Sequence, residues 1–114
     1  MRTQREYLQD ICDYADAILS FVEGVDFQTF QTDRKTSFAV IRAFEVIGEA
    51  VKNLDEAVKS KQPQVNWRGF AGFRDILSHA YHRVDPVYVW EAILHDLPAI
   101  QAAAGKLLND PEVY

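Results

Sequence analysis

Val40, Phe44, Ile47, Val51, Leu54 and Val58 follow one another at steps of four, three, four, three and four residues. An α-helix turns by about 100° per residue, so this spacing lays six apolar side chains along one buried stripe. A strand would alternate at every second position, and no alternating run of useful length occurs in the chain. The stripe predicts a long helix over residues 34–60, with Thr32 or Asp33 able to cap it. Any fold for this chain has to be built around that helix.

The remaining segments supply its partners. Leu8, Ile11, Cys12, Ala15, Ile18, Leu19 and Val22 recur at helical spacing and predict a first helix over residues 3–23, stopped by Gly24. Residues 25–31 read as a connector whose Phe27 and Phe30 pack back on the core. Pro63 marks a loop over residues 61–66. A third helix is expected over residues 67–81, with Phe70, Phe73, Leu77 and Ala80 inward and Gly69 and Gly72 at sites of close helix packing. Asp85-Pro86 is a cap followed by proline at the first helical position. Val87, Trp90, Ile93, Leu94 and Leu97 continue as a fourth helix, which Pro98 should kink or restart before a last segment ending near Leu108. Residues 109–114 read as a frayed tail. The expected fold is all-α: one domain over residues 1–114, an up-and-down bundle of four main helices plus a kinked or split C-terminal helix.

Composition narrows what such a bundle does. Hydrophobic residues make up 48% and charged residues 25% of 114 positions, as in ordinary soluble domains. No apolar run approaches the roughly 20 residues of a membrane helix, and the N-terminus lacks the apolar core of a secretory signal. The single Cys12 excludes an internal disulfide and a cysteine-cluster zinc site, and fits a reduced cytoplasmic protein. The net charge of −5 argues against a broad electrostatic footprint for nucleic acid. Contact with RNA must then be local, at a few Arg and Lys, or be completed by a partner or a second subunit; DNA is not expected.

The chemistry gathers in Arg74-Asp75-Ile76-Leu77-Ser78-His79-Ala80-Tyr81. Arginine is a permanent cation whose donor fork fits phosphate, and histidine moves protons near neutral pH. Together they form a toolkit for cleaving a phosphodiester without a metal. On an ideal helix residues five apart sit about 140° from each other, so Arg74 shares a face with Ser78, and His79 with Asp75. Asp75 could orient the imidazole across one turn. Using Arg74 and His79 together calls for a helix end near His79, or for two chains. Spacing alone also fits a surface or capping His79, and an Arg74 paired with Asp75, Glu45 or Glu49. A second line on the long helix, Phe38, Arg42, Glu45, Glu49 and Lys52, is either a solvated face or the wall of a polar cleft. His82 and His95 have no partner at metal-ligand spacing and read as surface residues. No phosphate loop, nucleophile elbow or zinc motif is present, and no cofactor or metal is expected.

Several segments in order resemble one family: Phe44-Glu45-Val46-Ile47-Gly48-Glu49-Ala50, Trp67-Arg68, Gly72-Phe73-Arg74-Asp75, His79-Ala80-Tyr81, Val84-Asp85, Val89-Trp90 and Asp96-Leu97-Pro98. Nearly the whole chain resembles the HEPN superfamily, specifically the HepT-like toxins paired with minimal nucleotidyltransferase antitoxins. The resemblance implies a helical bundle that homodimerises, bringing two Arg-x4-His motifs to a shared cleft, and metal-independent cleavage of RNA, with tRNA as a candidate target. It implies Arg74 and His79 as catalytic residues. It also implies Tyr81 as the residue that the nucleotidyltransferase antitoxin silences with AMP. Asp75 stands where the family often has Asn. Ser78, Arg42, Glu45 and Glu49 are expected to support the same cleft. Some members of the superfamily have lost activity, so a helical adaptor for a nucleotidyltransferase is the alternative, and a module for small-molecule nucleotidyl transfer a third option.

Overall fold

The computed structural model describes residues 2–114, and each of its three longest helices begins at a side-chain cap that the sequence supplies. Thr3 accepts a hydrogen bond from the Glu6 backbone N–H (3.1 Å) and starts α1, Gln4–Val22. Leu8, Ile11, Ala15 and Ile18 form its buried stripe, and the left-handed backbone at Gly24 (φ 73°) reverses the chain after it. Leu19, expected inward, is 41% exposed: it lies just off the stripe, on the solvent edge.

The expected connector contains a short helix, α2 (Phe27–Thr32), capped by Asp26, whose carboxylate accepts from Thr29 N–H at 2.8 Å. Its aromatics do pack inward. Phe27 and Phe30 lie 5.9 and 5.1 Å from Trp90, centroid to centroid. Asp33 then caps α3 (Arg34–Lys52), accepting from the Thr36 N–H and hydroxyl at 3.2 and 2.8 Å.

The long helix is shorter than its stripe. α3 ends at Lys52, and a separate turn, α4 (Glu56–Lys59), follows. Asn53 and Asp55 are poor helix formers because their side chains compete for backbone groups. Asn53 donates to the Glu49 carbonyl (2.9 Å), and Asp55 turns to extended backbone (ψ 148°). The break is bridged from a distance: Gln4 accepts from Asp55 N–H (2.7 Å) and donates to the Asn53 carbonyl (3.1 Å). Leu54 and Val58 stay buried across the break, so the stripe identified core residues even where the helix did not continue.

Asn66 caps α5 (Trp67–Ala80) through Gly69 N–H at 3.0 Å, and Trp67 donates its indole N–H to the Gln62 carbonyl. Ala80 leaves helical geometry (φ −147°, ψ 34°), and Tyr81–Arg83 form a 3₁₀ turn. The helix therefore ends one residue after His79. Asp85 caps α6 (Pro86–Glu91), accepting from Val87 N–H at 3.0 Å. A π-helical turn over Ala92–Asp96 precedes α7 (Leu97–Leu108). Pro98 has no N–H to return to residue 94 and would press on its carbonyl, so a widened turn there avoids the clash. Leu94, expected inward, is 51% exposed because the π-turn rotates it off the stripe.

α1 packs against α3 and α7, and α3 against α5. Gln4 at the start of α1 meets the end of α3, and Phe38 near the start of α3 meets Tyr81 after α5, so these neighbours run antiparallel. With α6, the π-turn and α7 as one broken fourth helix, this is the expected all-α bundle, and no strand occurs among the described residues. The C-terminal tail is not frayed. Lys61 binds Asp110 (2.9 Å) and Glu112 (3.1 Å), Val113 is buried, and the Tyr114 carbonyl accepts from Arg5 N–H. No helix of the described residues is long and apolar enough to cross a membrane.

Candidate active site

The α3–α5 crossing begins with an absence of side chain. A Cβ on Gly48 would collide with Arg74 Cβ and come within 2.9 Å of the Phe70 carbonyl oxygen. Glycine alone lets the two backbones approach so closely that the root of Arg74 rests on α3. Gly69 and Gly72, the expected close-packing sites, do not do this. Gly69 adjoins only the Asn66 cap, and Gly72 faces open space.

From that point the two antiparallel helices pair residue by residue. Arg74 reaches Glu49 at 3.3 Å and Asp75 at 3.2 Å, while its Nε is buried without a partner. Lys52 holds the same Asp75 oxygen at 2.8 Å. One helical turn on, Ser78 donates to Glu45 at 2.9 Å, and Arg42 lies 3.8 Å from that carboxylate. A further turn on, the Tyr81 ring meets Phe38 edge-on at 5.8 Å, and Arg34 covers the Phe38 ring at 5.3 Å. The line from Phe38 to Lys52 is thus one wall of a polar seam, and Arg74, Asp75, Ser78 and Tyr81 are the other.

His79 makes no contact across this seam and is exposed at the end of α5, one turn beyond Asp75. Its Nδ1 is 2.9 Å from the Asp75 backbone carbonyl. A carbonyl only accepts, so Nδ1 carries the proton and Nε2 of the neutral ring keeps its lone pair. The expectation that the Asp75 side chain orients the imidazole is therefore corrected: the backbone of Asp75 does so, because Lys52 and Arg74 take its carboxylate. No hydrogen bond joins Arg74 to His79 among the described residues, as their angular separation on α5 requires. His82 and His95 are exposed, and His95 pairs with Glu91 at 2.8 Å.

The hydrogen bond from Lys52, then that from Arg74, holds the Asp75 carboxyl below its ordinary value of 3.8. A folded-state pKa below the unfolded one means that the network is complete above the ordinary carboxylate range. It is lost as pH falls through the lowered value. Lys52→Met should therefore move the Asp75 titration upward, toward 3.8, in an NMR pH series. An unchanged titration would remove Lys52 from the network. Sequence reasoning placed Lys52 on the polar line but gave it no role, and it missed Gly48 as the seat of Arg74. Both belong to the helical register read from the sequence, yet which partner each meets depends on α5. Among the described residues no cluster of three or more His, Cys, Asp or Glu is arranged to hold a metal ion.

Comparisons with known proteins give the class of this all-α chain. The family described as Ribonuclease HepT-like matches residues 11–107. The "Probable ribonuclease HepT" of Thermococcus cleftensis is 41% identical over 93% of this chain and 96% of its own length. Two proteins of Methanocaldococcus jannaschii, each named "Putative RNase", are 43% and 37% identical, over 95% and 97% of this chain and 89% and 96% of their own lengths. No solved structure matches. The chain belongs to the HepT-like ribonuclease family.

Proposed function

We propose that this chain is the RNase toxin of a toxin–antitoxin pair, cleaving RNA without a metal at a cleft shared by two copies. The observation that carries the reading is the set of His79 with its bare Nε2 at the end of α5 and Arg74 seated on Gly48 one turn earlier. The RNA 2′-hydroxyl loses its proton to His79 Nε2 and attacks the adjacent phosphorus. The P–O5′ bond breaks, leaving a 2′,3′-cyclic phosphate, and the departing oxygen takes a proton to become a 5′-hydroxyl. Arg74 binds the non-bridging oxygens as their charge grows, a type of contribution worth a few kcal/mol. In reaching phosphate it exchanges Glu49 or Asp75 for the substrate.

One chain has one His79, and the reaction needs a base and an acid. A second copy supplies the other imidazole. Support comes from the apolar surface beside the motif. Ile76, one turn before His79, is 53% exposed, and with Gly72 and Tyr88 it lines a groove of about 690 Å³.

Tyr81 is 48% exposed, with its ring held against Phe38, so its hydroxyl is open to a modifying enzyme. In this reading a minimal nucleotidyltransferase antitoxin transfers AMP to it. The added bulk and negative charge then keep RNA from the site. Intact mass and cleavage on one sample test this. Co-expression with the nucleotidyltransferase should raise the mass by one or more AMP units and silence the wild type. Tyr81→Phe should gain no AMP and stay active. A Tyr81→Phe variant that remains fully repressible contradicts the modification.

A further inference from the structure

A cavity of about 260 Å³ opens between α1 and α3 beside Arg74, and His79 does not line it. Its lining includes Arg2, Tyr7 and Asp10 from the N-terminal segment and α1, which neither the sequence motif nor the reaction above uses. Arg42, Glu45, Glu49 and Arg74 complete the polar wall, and Val46 and Ala50 the floor. We infer that this cavity is an RNA subsite: it receives the nucleotide one step along the strand from the scissile phosphate. Tyr7 and Arg2 are its binding residues. The inference rests on the ribonuclease reading and names where the substrate runs.

Three features carry it. The first is continuity: Arg74 lines the cavity and also stands at the proposed cleavage site, so a strand with a phosphate on Arg74 has its next nucleotide at this opening. The second is the chemistry of the wall. Arg2 already lies over the Tyr7 ring, guanidinium carbon 4.7 Å from the centroid, held there by Asp10 (2.7 Å) and Glu6 (3.5 Å). An aromatic face that accepts a flat guanidinium accepts a nucleobase by the same forces. The Tyr7, Val46 and Ala50 surface gives the base an apolar seat, and Arg2 and Arg42 flank it for the phosphate. Arg42 is free to do so: its side chain is 73% exposed, with Glu45 at 3.8 Å as a loose partner.

The third feature is charge. The chain as a whole carries −5, a poor surface for a polyanion. The cavity lining itself pairs Arg2, Arg42 and Arg74 with Asp10, Glu45 and Glu49, and Glu6 stands beside Arg2, so this patch is close to neutral. Three guanidinium groups converge there, so a phosphate meets more cationic surface than the chain offers on average.

The test uses a short single-stranded 2′-O-methyl oligoribonucleotide, which lacks the attacking hydroxyl, so binding is read without cleavage. Tyr7→Leu should weaken binding about tenfold through lost stacking while leaving the salt dependence unchanged. Arg2→Gln should weaken binding and flatten the slope of log affinity against log salt by about 0.7, the share of one phosphate contact on a single strand. Arg2 is exposed, so its variant folds even if Tyr7→Leu, at a half-buried position, does not. Wild-type affinity in both variants overturns the subsite, and so does failure of the wild type to bind the oligonucleotide. A wild type that binds it but cleaves no unmodified RNA overturns the catalytic reading instead, and the subsite is then judged on the two variants' binding alone.

Discussion

His79→Ala is expected to lower the RNA cleavage rate by about 10²–10⁴-fold, the usual worth of a positioned general acid or base. Arg74→Ala should cost a similar factor, because the arginine is the cation that follows the growing charge on phosphate. The two variants differ in what they do to the protein. His79 is exposed and makes one hydrogen bond, to the Asp75 carbonyl at its own helix end. Its removal should leave the thermal midpoint almost unchanged. Arg74 is tied to Glu49 and Asp75, so removing it frees the exposed Glu49 while Lys52 still holds Asp75, and should cost only a little stability. Circular dichroism on both variants separates lost chemistry from lost fold. Retained cleavage in both would sink the mechanism.

The second large effect is at Gly48. Gly48→Val places two methyl groups where Arg74 Cβ and the Phe70 carbonyl already fill the space. The clash is with the root of a side chain and with backbone, not with a flexible tip. Relief therefore requires α3 and α5 to part. Overpacking of this kind costs about 1–3 kcal/mol, and the better helix propensity of valine over glycine returns only roughly a few tenths of a kcal/mol. Parting the helices also moves Arg74, and a displacement of about 1 Å at a reacting centre can cost about a hundredfold in rate. The variant should thus lose stability and activity together, whereas Gly72→Ala, facing open space within the chain, should keep its stability. A Gly48→Val protein with normal stability and normal cleavage would show that the close crossing does not seat Arg74.

The contrast between the two glycines marks where sequence stops informing structure. Periodicity found the core of the long stripe, because burial along one helix is a property of that helix: all six residues from Val40 to Val58 are buried, whereas Leu19 and Leu94, at the edges of other stripes, are exposed. It could not find the break at Asn53, because the break is stabilised by Gln4, some fifty positions away in the chain. The tail is similar. Residues 109–114 are polar and short, and only the folded chain brings Lys61 to Asp110 and Glu112. The short α2 was hidden because one helical turn has too few residues to display a period.

The site divides in the same way. The angular separation of Arg74 and His79 was legible from local spacing; the helix expected to run through Tyr81 ends at Ala80, one residue after His79. That Asp75 serves Lys52 with its side chain and His79 with its backbone was not, since Lys52 comes from another helix. Phe38 beside Tyr81, and the cavity formed with Arg2 and Tyr7, likewise exist only once α1, α3 and α5 are packed.

The measurement that bears most directly on the central claim is the chemistry of the cut ends. Unmodified wild-type protein would be incubated with RNA in excess EDTA, with His79→Ala in parallel, and the products analysed by mass spectrometry. Fragments ending in 2′,3′-cyclic phosphate with 5′-hydroxyl partners, absent with His79→Ala, are the predicted result. Cleavage that EDTA abolishes, fragments with 5′-phosphate ends, or equal cleavage by His79→Ala would contradict it.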